Sequence, residues 1–72
     1  MVTFGERLKL LRAQKNIRQI DMAKVLSITD RQYQLYEYGK SYPEFKKLII
    51  IADYFDVSLD YLVGRSNEPK RS

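Results

Sequence analysis

Residues 19–38, QIDMAKVLSITDRQYQLYEY, decide the fold of this chain. They read as two short helical patterns flanking a tight connection at Ser27 and Ile28. In the first, Gln19 to Leu26, the residues Met22, Ala23 and Leu26 recur at helical spacing and face inward. Its start is poorly capped, because Arg18 stands where Ser or Thr would serve better. In the second, Thr29 to Tyr38, Thr29 and Gln32 have capping-box spacing, and Asp30 suits the positive end of the helix dipole. Gly39 supplies the stop. Two helices meeting at a steep angle need a small residue at the crossing, here Ala23. They also need apolar inner faces, here Met22, Leu26, Ile28, Tyr33 and Tyr36. With Tyr33 and Tyr36 inward, Arg31, Gln34, Leu35 and Tyr38 form the outward face. That face has the chemistry of a DNA major-groove reader. Arg31 can donate two bonds to guanine, Gln34 can pair with adenine, and Leu35 can touch a thymine methyl. Asp30 is read as a cap in preference to a cytosine acceptor, and Gln32 has the same alternative role within its box.

The flanking sequence extends the same pattern. Thr3 to Lys15 reads as a first helix, opened by a Thr3–Glu6 capping box and carrying Phe4, Leu8 and Leu11 on one face. Asn16 can take the left-handed conformation that ends it. Residues 39–43 form a loop on turn chemistry. A fourth helix runs from about Glu44 to Phe55, with Leu48, Ile51, Ala52 and Phe55 inward. Ser58 caps a short fifth helix, Leu59 to Val63, closed by Gly64. No segment alternates with period two, so the expected fold class is all-α, a compact five-helix domain over residues 1–64. Residues 65–72 read as a polar, frayed tail or linker.

Composition narrows the function. The 72 residues contain neither cysteine nor histidine. Disulfides, thiolate metal sites and the commonest general base are thereby excluded, and neither metal nor cofactor is expected. Asp53, Asp56 and Asp60 lie close in sequence, but no nucleophile–base pair or glycine-rich phosphate loop accompanies them. Two of them read more simply as turn and first-turn residues, so an enzyme is not expected. Charge is distributed unevenly: residues 1–40 hold eight basic and four acidic groups, residues 41–64 two and four. A basic amino-terminal half fits a polyanionic partner. The longest apolar run, Leu48 to Ala52, is too short to span a membrane, and the first residues show no signal-peptide pattern. A cytoplasmic location is expected.

The whole pattern resembles the Cro and lambda-repressor-like helix-turn-helix family, often called XRE-like. The text that carries the resemblance is FGERLKLLR (4–12), QIDMA (19–23), LSIT (26–29), YEYGK (36–40), Pro43, and IA (51–52) followed by DVSLDYLVG (56–64). The resemblance implies a sequence-specific regulator of transcription, a repressor of phage or bacterial type, acting on double-stranded DNA as a homodimer. Gln19 resembles the family glutamine that holds a phosphate and braces the recognition helix. Thr29, Asp30, Arg31, Gln34 and Leu35 occupy DNA-facing positions, with Gln32 and Tyr38 beside them. Lys40 and the loop after it resemble a backbone-contacting segment. Arg12 and Glu37 resemble a partly buried ion pair joining the first and third helices.

The chain departs from the family pattern at several positions. Ser27 replaces the usual turn glycine and must bear a left-handed conformation. Tyr33 is bulkier than the usual Ile, Val or Thr, so helix three tilts or the hydroxyl reaches the surface. Leu35 stands where Arg or Lys is frequent. Leu10, Ile20, Val25 and Ile50 are apolar where the family is polar. These features leave a second reading open: an antitoxin-like or other protein-interaction module on the same fold, with a protein partner. For a dimer, the surface around Tyr54, Tyr61 and Leu62 on helices four and five is the first choice.

Overall fold

The structure, a computed structural model, describes residues 2–71, and among these it contains five helices and no strand. They are α1 (Phe4–Gln14), α2 (Gln19–Val25), α3 (Asp30–Glu37), α4 (Phe45–Phe55) and α5 (Leu59–Leu62). No helix among the described residues is long and apolar enough to cross a membrane.

The helix starts follow from local chemistry. Thr3 and Glu6 make the full reciprocal box, with bonds of 3.0 and 3.2 Å. Ser58 Oγ accepts from the Tyr61 N–H at 3.0 Å. At α2 the Arg18 side chain caps nothing. Instead Asp21, in the first turn, accepts from the Arg18 N–H at 3.2 Å and from its guanidinium at 3.0 and 3.1 Å. A carboxylate at the positive end of the dipole thus replaces the missing cap.

All five helices end in one way. A residue just past the last turn takes the left-handed conformation, and the next N–H reaches back to a carbonyl five residues earlier. The left-handed residues are Asn16, Ser27, Gly39, Asp56 and Gly64. The reaching bonds run from Ile17 to Arg12, Ile28 to Ala23, Lys40 to Leu35, Val57 to Ala52 and Arg65 to Asp60, at 2.8–3.2 Å. Ser27, at φ 56°, therefore holds the conformation expected of it. A left-handed non-glycine residue costs about 1–2 kcal/mol, partly offset by the lower chain entropy of serine when unfolded. Ser27→Gly should raise stability by about 0.5–1 kcal/mol in urea denaturation. A drop would mean that the serine side chain is needed at the turn.

One core holds the helices together. Leu8, Met22, Tyr33, Ile51 and Leu62 are fully buried in it, and Ala23 of α2 is buried with them. Leu62 therefore belongs to the interior and cannot form part of a dimer surface. Tyr61 is half-buried beneath the guanidinium of Arg7, which lies 3.6 Å from its ring centroid. Of the four apolar departures, Leu10, Ile20 and Ile50 are exposed, whereas Val25 packs against the core.

Several contacts fasten residues 66–71. Arg7, itself buried, donates to the carbonyls of Tyr61 and Ser66 at 3.0 and 3.4 Å. The Ser58 N–H donates to the Pro69 carbonyl at 3.0 Å, and Arg71 pairs with Asp53 and Asp56. Residues 66–71 thus form a strap laid back on the α4–α5 corner.

Candidate nucleic-acid interface

The junction of α1, α2 and α3 is a buried polar cluster. Arg12 approaches Glu37 with both arms of its guanidinium, at 2.6 and 3.2 Å, and also donates to the Ile17 carbonyl at 2.9 Å. The Glu37 side chain is only 2% exposed and that of Arg12 18%. Gln19 Nε2 donates to the same Glu37 carboxylate at 3.1 Å. One carboxylate near the end of α3 is therefore gripped from α1 and from the first residue of α2. Burial alone would push the Glu37 carboxyl up, but the hydrogen bonds from Arg12 and Gln19 outweigh it and hold it below the usual carboxylate range. The expected ion pair is present, and Gln19 braces α3 through it.

Tyr33 lies beside this cluster with its hydroxyl buried and without a hydrogen-bond partner among the described residues. The expectation that the hydroxyl reaches the surface is not met; burial instead pushes its pKa up. An unsatisfied buried hydroxyl costs about 1–3 kcal/mol. Tyr33→Phe should leave the melting temperature unchanged or raise it, and a fall of several degrees would show that the hydroxyl is bonded after all.

The outward side of α3 is open. Arg31 and Tyr38 are exposed and Gln34 and Leu35 half-exposed, and the four fall within one face of the helix, opposite Tyr33 and Tyr36. Among the described residues no side-chain hydrogen bond or ion pair occupies Arg31, Gln34, Tyr38 or Lys40. Thr29 is exposed and caps the helix, accepting from the Gln32 N–H at 3.1 Å, and Asp30 is exposed in the first turn. The second half of the expected Thr29–Gln32 box is absent. Gln32 turns its amide away and donates to Ser41 Oγ at 3.2 Å, across the reversal at Gly39. Lys40 is exposed just before that bond.

Sequence reasoning missed Arg7, which reads as one more solvated charge of α1. A signal was available, since Arg7 is three residues after Phe4 and four before Leu11, within the apolar stripe. It also missed two exposed aromatics, Tyr42 in the loop after α3 and Phe45 at the start of α4.

A short helix, a tight turn and a second helix that is braced behind and free in front define a helix-turn-helix nucleic-acid-binding fold. Residues 8–62 match the helix-turn-helix family, and the chain belongs to it. It is 50% identical over 66 residues to the HTH-type transcriptional regulator YqaE of Bacillus subtilis, covering 90% of this chain and 57% of that protein. The chain thus spans little more than half the length of that relative. A transcriptional regulator from Listeria innocua superposes with a TM-score of 0.85 at 31% identity, over 97% of this chain and 65% of that one. The P22 c2 repressor, solved in complex with a synthetic operator, shares the fold with a TM-score of 0.83 at 23% identity, over 92% of this chain and 100% of that one. The resemblance to Cro and lambda-repressor-like regulators therefore holds, as does the all-α, five-helix architecture.

Proposed function

We propose that residues 1–64 bind double-stranded DNA sequence-specifically and regulate transcription by repression, occupying an operator in the cytoplasm and excluding polymerase. The observation that carries this reading is the outward row Arg31, Gln34, Leu35 and Tyr38. It stands free on a helix whose inner side is fixed by Glu37, Arg12 and Gln19. A rigid helix with uncommitted donors on its open face is what base reading in the major groove requires. Arg31 reads guanine, Gln34 adenine and Leu35 a thymine methyl, while Thr29, Asp30 and Tyr38 border the contact. Lys40 and Gln19 grip phosphates, which supply affinity without sequence information. The names of the relatives and the operator bound to the P22 c2 repressor support the same reading. The chain acts as a homodimer on a palindromic site, and Ile50 and Tyr54, one turn apart on exposed positions of α4, are the first choice for its dimer face.

Selection of a random duplex library at physiological salt tests the proposal. Enrichment of one palindrome is expected, and its half-site spacing gives the dimer geometry. Absence of any motif would favour the protein-interaction reading. On the enriched duplex, Arg31→Ala should lose roughly 1–3 kcal/mol, and much less on random DNA. Equal losses on both would mean that Arg31 grips phosphate.

A further inference from the structure

The bond between Gln32 and Ser41 joins two parts of the interface that the sequence treats as separate. Gln32 belongs to the first turn of α3, the helix assigned to the bases. Ser41 belongs to the loop beyond Gly39, where Lys40 is assigned to phosphates. The link spans nine residues and is partly buried. A capping box would have the Gln32 Oε1 accept from the N–H of Thr29, the residue before α3. Gln32 leaves that group and reaches across the chain reversal instead.

The loop is fastened on its other sides too. The Lys40 N–H donates to the Leu35 carbonyl at 2.9 Å. The Tyr42 ring lies tilted against Phe4, with centroids 6.1 Å apart, and Pro43 is buried. Among the described residues, Gln32 supplies the side-chain hydrogen bond between α3 and this loop.

We propose that Gln32 is a positioning residue that locks the phosphate-gripping loop, residues 40–42, to the base-reading helix through Ser41. The proposal rests on the DNA-reading function argued above. Phosphate contacts set the register of a protein on the duplex, and base contacts then specify the sequence. The two sets work together only at a fixed offset. A loop held before binding avoids the ordering cost that a free loop would meet on contact. Gln32 thus contributes to affinity without touching a base.

The test compares Gln32→Met, Ser41→Ala and the double variant with the unaltered chain, on the duplex that the unaltered chain enriches. Methionine keeps the length and helix propensity of glutamine but cannot donate the bond. Each single variant should bind roughly three- to tenfold more weakly, the range of one hydrogen bond. The double variant should be no weaker than either single one, since both remove the same link. The salt dependence should flatten in all three, because Lys40 loses its fixed place at a phosphate. Melting temperatures and helical circular dichroism should stay close to those of the unaltered chain. A loss for Gln32→Met alone, confined to one base pair of the duplex, would overturn the proposal and make Gln32 a base reader. So would lower melting temperatures with unchanged binding, or no effect of either variant. If the unaltered chain enriches no duplex, the DNA-reading function fails, and this proposal falls with it.

Discussion

Replacing Glu37 by alanine should cost about 3–5 kcal/mol, the usual penalty for breaking a buried ion pair from one side. The change removes a carboxylate that accepts two bonds from Arg12 and one from Gln19. It leaves a guanidinium, 82% of whose side-chain surface is buried, without its counter-ion. A 72-residue domain lies toward the low end of the ordinary stability range, so this loss is a large share of the total. The melting temperature should fall by more than about ten degrees. A shift of two or three degrees would show that water replaces the carboxylate without penalty. Changing both partners together, Arg12→Met with Glu37→Met, should recover much of the loss, because no charge is then left unpaired. The pH dependence has a definite sign. The Glu37 carboxyl is held below its ordinary value of 4.5 in the folded chain. Its stabilising contribution is therefore complete above that pH and is lost as the pH falls through the lower, folded value. Below that point the gap in stability between the unaltered chain and Glu37→Ala should narrow. A constant gap between them down to strongly acid pH would sink the assignment.

Gly5→Ala should destabilise the domain by about 2–3 kcal/mol, although alanine is the better helix former by about 1 kcal/mol. The reason is where α1 meets the end of α3. A methyl group at residue 5 would sit 2.5 Å from the Glu37 carbonyl oxygen and 2.9 Å from that of Tyr36. Both are backbone atoms and cannot swing aside. Relief requires α1 to back away from α3, and the same displacement stretches the Arg12–Glu37 bond farther along α1. Overpacking therefore outweighs propensity. Thermal denaturation decides the matter, since a rise in melting temperature would mean that the helices separate freely.

The two substitutions also mark how far the sequence can be read. Helix ends were legible wherever the deciding chemistry is local. Thr3 with Glu6, Ser58, Asn16 and Gly39 all act within a few residues of themselves, and each does what its neighbours imply. Ser27 was legible through the family resemblance, which sets a glycine at that turn and so implies a left-handed residue there. Gln32 was misread because its amide chooses between a neighbour three residues away and a hydroxyl nine residues away, which local spacing cannot decide. The place of the Tyr33 hydroxyl was left between two alternatives, because its surroundings include Arg12 of α1, distant in sequence. Leu62 lies on a four-residue helix, too short for periodicity to fix its inner face. The stacking of Arg7 on Tyr61 does so, and that is a contact between the two ends of the sequence. In the interface, the outward row of α3 followed from the inward pair Tyr33 and Tyr36. The brace from Gln19 was legible only through the family resemblance, and its route through Glu37 only in three dimensions.

Gly64 meets the backbone of Val2 so closely that a side chain at 64 would collide with the Val2 carbonyl. Residues 2 and 64 therefore lie side by side, forming a seam beside α5 before the strap of residues 66–71 runs on. Such a chain can be cut elsewhere: a short flexible linker across the seam would let it start and finish at the exposed turn of residues 15 and 16. Such a circular permutant would keep all five helices and the open face of α3 intact. It would also carry any fused passenger at the opposite end of α1 from the original seam.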